Sequence, residues 1–536
     1  MKTKNSLITL SPSIALITLS FFSATMKINN AVATDYYISA KGNDAADGLT
    51  PATSWLTIEK INKARFSPGD SILFQRGDSW REGQALYGSS DGMPGHPVVY
   101  GAYGKGAKPL ILASKDISAS MFWAKSSKDI WKTTSKINIT SRDLILGKSR
   151  SRQITPDIAN LIFNNEKLTG FKKRFLADLK TQGDFCLDLD DTILYLYSTV
   201  NPSVYYKKIE ATGIRNAENN IEIINRHYLA FVNLDIRYSK NNGILLRDCS
   251  NIEITGCDFS WIGGCYFPID TYMRSSDPNP ARMGNGIQLW QGNSDVTIKN
   301  CNISEVYDAG ISPQGVGAVY SIQNLRIHHN LIRDCFYSFE FWGHEAGSTG
   351  KNIFFENNTC LNSGGGWSTA QRPDKERCAH LQFSSSKMSF SNVFIRNNIF
   401  YESFCFCSDG KAESNGSNTD AVWDAFTIDN NCYYQSSKKK QIIRWRGGSA
   451  KGGGDYFMDD LKAYQAKSGK ELHTIFTDPK LGSDFRLQPG SPAIDAGIDI
   501  GYTYTGVAPD MGAFEFAGGS SNPPAIRRSG SSKTKN

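Results

Sequence analysis

The chain has 536 residues, 40% of them hydrophobic and 21% charged, an ordinary globular composition. Its formal net charge of +7 sits at the two ends: Lys2, Lys4 and Lys27 with no acid in residues 1–33, and Arg527, Arg528, Lys533 and Lys535 with no acid in 517–536. Residues 34–516 are therefore neutral overall, which excludes a polycationic nucleic-acid binder.

Taken from the N-terminus, the basic start, the apolar run around Ile14 to Phe22 and the A-x-A sequence Ala31-Val32-Ala33 predict a signal peptide over residues 1–33. The run is too short to span a bilayer comfortably and no other candidate span follows. The expectation is a secreted protein, extracellular or periplasmic, monomeric and without a membrane span. Export permits disulfides, but the 11 cysteines are odd in number and their spacing matches no zinc pattern. Cys405 and Cys407, two apart, are expected on one face of a strand.

Residues 34–114 read as an N-terminal cap and a first coil. SWLTIEKINKARF sets Trp55, Ile58, Ile61 and Ala64 near helical spacing, as an amphipathic helix covering one end of a stacked core would. In DAADG, Asp44 and Asp47 could hold calcium or form a plain Asp/Gly turn. Apart from that option, no cofactor and no metal is expected. HPVVYGAYGKGAKPLILAS (96–114) is the first coil. Residues 115–215 break the rhythm; GDFCLDLDDTILYLYSTVNP alternates around an acidic turn, so an inserted β subdomain is expected there.

Residues 216–445 carry a repeat. HYLAFVNLDI (227–236), SNIEITGCDF (250–259), SDVTIKNCNI (294–303), QNLRIHHNLI (323–332), KNIFFENNTC (351–360), SNVFIRNNIF (391–400) and DAFTIDNNCY (424–433) share apolar third and fifth places. Their eighth places are Leu234, Cys257, Cys301, Asn330, Asn358, Asn398 and Asn431. Starts 23, 44, 29, 28, 40 and 33 residues apart suggest coils of a parallel β-solenoid with loops of varying size. The asparagines would form a ladder, and Cys257 and Cys301 would be buried filler at the same rung position. A C-terminal closing segment (446–516) and a disordered basic tail (517–536) complete the chain.

These NNIEI-type coils, the opening YYISAKGNDAADGLTPATSWLTIEKI and the ending GSPAIDAGIDIGYTYTGVAPDMGAFEF resemble secreted bacterial right-handed parallel β-helix proteins of the pectate-lyase-like superfamily. The resemblance spans most of residues 35–516. It implies an all-β solenoid and a polysaccharide or oligosaccharide partner; the superfamily hosts lyases, hydrolases, epimerases and adhesins.

After each repeat a second strand follows: GILLRD, GIQLWQ, GISPQG, SFEFWG, HLQFSS and IIRWRG. Their second residues, Ile244 through Phe339 to Ile443, are apolar and must face the core, so the third and fifth face out. Stacked, the third places give Leu245, Gln288, Ser312, Glu340, Gln382 and Arg444. The fifth give Arg247, Trp290, Gln314, Trp342, Ser384 and Arg446. Trp290 and Trp342 suit sugar-face stacking, with cover from a long loop as the alternative. Glu340 between them is a candidate for chemistry or a surface carboxylate. The loop GGGWSTAQRPDKERCAH brings Trp367, Gln371, Arg372 and Asp374 beside His380, and TYMRSSDPNPARMGN adds Tyr272 and Arg274, with Asp270 just before it.

Two reactions compete. β-Elimination of a uronate needs a base, for which His380 serves, and a cation on the carboxylate, for which Arg372 or Arg444 serves. Glycoside hydrolysis needs two carboxylates, Glu340 and a loop partner. Asp374 is preferred as that partner over Glu345 and over Asp308, which lies about 13 Å from Ser312 along an extended strand. The leading expectation is elimination, because basic residues flank the stripe. Hydrolysis and a non-catalytic glycan-binding surface protein are the alternatives. Gln288, Trp290, Gln314, Trp342, Trp367, Gln371, Gln382 and Arg444 are the expected substrate contacts.

Overall fold

The computed structural model describes residues 33–518 apart from 82–83, 138–142, 148–149, 154–156, 189, 214–217, 267–281, 386–387, 412–423, 438 and 447–452. The expected signal peptide, except for Ala33, the tail beyond 518, and Asp270, Tyr272 and Arg274 lie outside the described residues. Among the described residues no helix is long and apolar enough to cross a membrane.

Three long sheets of ten, ten and nine strands wrap one core, and coil after coil pairs in parallel. The first sheet holds the opening strand of every repeat, from His227–Val232 through Ser250–Thr255, Ser294–Lys299, Ser321–His328, Thr349–Glu356 and Ser389–Arg396 to Phe426–Asp429. Each repeat then turns a corner into the third sheet. The residue before the eighth place makes that corner in the left-handed region: Asn233, Gly256, Asn300, His329, Asn357, Asn397 and Asn430 have φ between 49° and 64°. Asn tolerates this conformation better than most side chains, which explains the first Asn of each NN pair. The second Asn is the ladder. Asn358 Oδ1 accepts from Asn330 N at 3.0 Å, Asn398 Oδ1 from Asn358 N at 2.9 Å and Asn431 Oδ1 from Asn398 N at 3.0 Å. Cys257 and Cys301 continue the position as buried filler.

The stacking starts earlier than residue 96, because Asp35–Ile38 pairs with Ser71–Gln75, which pairs with Val98–Tyr103 in the first sheet. The cap helix spans Ile58–Lys63, with Ile58, Ile61 and Trp55 buried. Asp44 does turn work: its carboxylate accepts from Leu56 N at 2.8 Å, Thr57 N at 3.0 Å and Thr57 Oγ1 at 2.6 Å. Thr57 Oγ1 then caps the helix by accepting from Lys60 N. In the insert, Asp184–Leu187 and Leu194–Tyr197 form the antiparallel pair around the acidic turn, over a small core that includes Trp123, Phe163, Phe185 and Leu196.

The second sheet carries the site. Its order is Leu86–Tyr87, Ile221–Ile224, Ile244–Arg247, Ile287–Trp290, Ala309–Gly315, Tyr337–Gly343, Ala379–Ser385, Phe406–Lys411, Gln441–Arg446 and Gly454–Phe457; only the last strand is antiparallel. Four of these strands escaped the sequence reading: Leu86–Tyr87, Ile221–Ile224, Phe406–Lys411 and Gly454–Phe457. Phe406–Lys411 adds a rung between Gln382 and Arg444, at Asp409. Cys405 and Cys407 do not share a face. The strand begins at Phe406, so strand alternation does not reach Cys405, which is half-buried, while Cys407 lies in the core.

Candidate active site

Along the second sheet Ile244, Ile287, Ile311, Phe339, Leu381 and Ile443 are buried in the core, as alternation requires. The opposite side chains stack in register: Arg247, Trp290, Gln314, Trp342 and Ser384 on one row, and Leu245, Gln288, Ser312, Glu340 and Gln382 on the other. Gln288, Ser312, Glu340 and Gln382 are buried although they leave the core, so other parts of the chain cover this row. Trp290, Gln314 and Trp342 are half-buried along its side.

Glu340 is 7% exposed. Its Oε2 accepts from Gln314 Nε2 at 2.6 Å and from Ser312 Oγ at 3.0 Å, both neutral donors. Burial, and then the charge of Asp308, push its carboxyl up to about 8, with the two hydrogen bonds and Arg372 opposing. Glu340 is therefore protonated at neutral pH.

Asp308 is placed differently. Arg372 Nη1 donates to its Oδ1 at 2.9 Å, and Arg372 also holds Asp374, Nε to Oδ1 at 2.9 Å and Nη2 to Oδ2 at 3.2 Å. Nη1 reaches the Tyr307 carbonyl at 3.1 Å, and the guanidinium lies 3.7 Å over the Phe336 ring. Burial raises the Asp308 carboxyl and Arg372 opposes it; for Asp374 burial also raises, but Arg372 prevails and the net shift is down. Four of the five guanidinium donors of Arg372 are thus engaged. The carboxylate whose charge Glu340 feels is Asp308, not the preferred Asp374, which lies on the other side of Arg372. Backbone distance along one strand misled here, because Asp308 stands at the corner that feeds Ala309–Gly315, one coil before Glu340.

His380 turns into the solenoid. Its ring stacks on Phe400, and it has no exposed surface. Nε2 donates to the Glu402 carbonyl at 2.9 Å, so Nδ1 is the acceptor for Ser338 Oγ at 3.0 Å. Burial pushes the imidazole down to about 3. Expected as a catalytic base, it is a neutral core histidine. The corner at Ser338 and His380 explains this: two successive side chains, His380 and Leu381, both point inward there.

Other expected contacts are anchors. Gln288 Nε2 donates to the Ser312 carbonyl at 3.1 Å and its Oε1 accepts from Asn285. Trp367 N and Nε1 both donate to Glu305, at 3.0 Å, and its ring packs against Tyr307. Gln371 is buried between Gly170, Lys172 and Arg282, its Nε2 donating to the Gly170 carbonyl at 2.9 Å. It fixes the loop, immediately before Arg372, to the insert. Arg444 lies 3.8 Å over Phe406. Glu345 caps Gly317 N at 2.7 Å. Two buried atoms on these rows find no hydrogen-bond partner among the described residues: Trp290 Nε1, a donor, and Gln382 Oε1, an acceptor. A buried polar atom left open beside a carboxyl suits a ligand hydroxyl.

A family model described as right handed beta helix region matches residues 201–374. The chain carries a right-handed parallel β-helix. No curated protein matches its sequence. Among solved structures this β-helix is similar to a glycoside hydrolase at 9% identity, covering 78% of this chain and 95% of that one with a TM-score of 0.44. It is similar to a pectate lyase at 13% identity, covering 90% and 97% with a TM-score of 0.34. It is also similar to a Family 28 exopolygalacturonase from Yersinia enterocolitica at 11% identity, covering 77% and 68% with a TM-score of 0.38. A β-helix shared at such identities says nothing about a shared reaction. Asp308 was weighed in the sequence reading but ranked below Asp374; its signal was its place four residues before Ser312 at the start of a strand. The extra rung at Asp409 was hidden because SDG reads as a turn.

Proposed function

We propose that this β-helix hydrolyses glycosidic bonds, with Glu340 as the general acid and Asp308 as its carboxylate partner. One observation carries the reading: two neighbouring carboxyls, both raised by burial, of which Asp308 is hydrogen-bonded to a cation and Glu340 to neutral donors. Arg372 bonds directly to Asp308 and favours its ionised form, while Glu340 accepts hydrogen bonds from the neutral Ser312 and Gln314, feels Arg372 only as a weaker opposing charge, and is raised to about 8. A protonated carboxyl can protonate the leaving glycosidic oxygen as the bond breaks; the ionised partner can activate water or attack the sugar. Trp290 and Trp342 would stack on sugar faces, and Trp290 Nε1 and Gln382 Oε1 would take hydroxyls.

Elimination, the leading expectation from sequence, is the weaker reading. His380 is neutral inside the core, and Arg372 is engaged by two carboxylates. The test incubates the protein with panels of neutral and acidic glycans. New reducing ends without ultraviolet absorbance, abolished in Glu340→Gln, are the expected result. Absorbance from an unsaturated uronate would overturn hydrolysis in favour of elimination. Binding on a broad panel without either product would make this a glycan-binding protein.

A further inference from the structure

The loop that holds Arg372 and Asp374 leaves the coil at Gly364 and returns at Cys378. Gly364 has a φ of +77°, and a Cβ there would fall 2.5 Å from Cys378 Sγ and 2.9 Å from Phe404 Cβ. Departure, return and the entry to the next coil therefore meet at one point. Ala379 and Phe406 are register partners on adjacent coils, and Phe406 N donates to the Cys378 carbonyl at 3.2 Å. Cys378 and Cys405, the residues just before them, consequently lie opposite each other. Coil spacing of about 4.8 Å falls inside the Cα separation of about 4.4–6.8 Å that a disulfide accepts. Cys405 Sγ donates to the Lys375 carbonyl of the same loop at 3.4 Å, and each of the two thiols shifts the acidity of the other. Of the eleven cysteines Cys405 alone is not buried; Cys378 is buried behind it.

We propose that Cys378 and Cys405 are an exchange-competent pair that closes into a disulfide at the base of the Arg372 loop. Cys405, as thiolate, attacks an external disulfide such as oxidised glutathione; a mixed disulfide forms and one glutathione thiolate leaves. Cys378 then attacks the Cys405 sulfur, its proton going to the departing second glutathione. Two thiols are oxidised, one external disulfide is reduced to two thiols, and atoms and electrons balance. The adjacent Cys378, backed by the charge of Arg444, lowers the Cys405 thiol, as the attacking sulfur requires. Burial and the Cys405 neighbour raise Cys378, which suits a resolving thiol that acts second. The bond would fix the return of the loop whatever reaction the site performs.

The test treats the full chain with oxidised glutathione, alkylates remaining thiols in denaturant, and maps peptides by mass spectrometry without reduction. A cross-linked Cys378–Cys405 peptide with the other nine cysteines alkylated is expected. Both cysteines alkylated, or Cys405 carrying glutathione beside an alkylated Cys378, would overturn the proposal. In Cys378→Ser, Cys405 should stop as the glutathione adduct; no adduct there also counts against it. Oxidation should slow tryptic cleavage at Lys375 and Arg377, with dithiothreitol restoring it. Equal rates before and after would refute closure of the loop.

Discussion

Arg372 donates to Asp308 at 2.9 Å and leaves Glu340, whose acidity Asp308 weakens, to the neutral donors Ser312 and Gln314. Burial raises both carboxyls, but the guanidinium bonds directly to Asp308 and favours its ionised form more than that of Glu340.

Activity should fall as pH rises through about 8, where Glu340 loses its proton. In Asp308→Asn the nearby negative charge is gone, so Glu340 ionises at lower pH and the alkaline limb of residual activity moves down. Glu340→Gln should lower kcat by roughly 10²–10⁴-fold. A kcat profile across pH 5–10 checks both; an unmoved alkaline limb in Asp308→Asn removes Asp308 from the pair.

The same proton governs stability. Between the ordinary glutamate value of 4.5 and about 8, folded Glu340 keeps a proton that the unfolded chain has released. Stability therefore falls as pH rises through that window, and above it the buried charge remains as a penalty. Glu340→Gln removes the ionisation, so its Tm should exceed that of the wild type at pH 9 and match it closely at pH 4. Parallel Tm curves across this range would contradict the burial of a protonated Glu340.

Arg372→Ala leaves Asp308 and Asp374 facing each other without their shared cation. Breaking a buried pair costs about 3–5 kcal/mol, and the partial exposure of Asp374 favours the lower end. Urea unfolding measures the loss. Arg372→Lys supplies the charge but not the two-sided fork, so it should recover only part of it.

His380→Gln should cost about 1–3 kcal/mol through the hydrogen bonds to Ser338 and Glu402 while leaving kcat of the folded enzyme unchanged. A kcat that collapses while the unfolding curve stays put would return His380 to the mechanism.

Much of this was legible in the chain. Every repeat from His227 to Tyr433 was read in its correct register, because an apolar period of two and an Asn at most of the corners leave a repeated trace. Glu340, Trp342 and Trp290 were placed outside the core for the same reason. Corners were not legible: alternation fails where the chain bends, so His380 was put on the wrong side and Cys405 was put on one face with Cys407. Nor could periodicity say which carboxylate Arg372 would hold, since Asp308 and Arg372 are 64 residues apart and meet through the loop.

The last strand of the second sheet, Gly454–Phe457, runs antiparallel to Gln441–Arg446. A parallel stack offers the same template at its final rung as at every rung before, and a second molecule could extend it without limit. Reversing one strand ends that template on this sheet, while at the opposite end a short helix covers the opening. The two ends of the stack thus differ from the rungs between them: one closes this sheet with a reversed strand, the other with a helix.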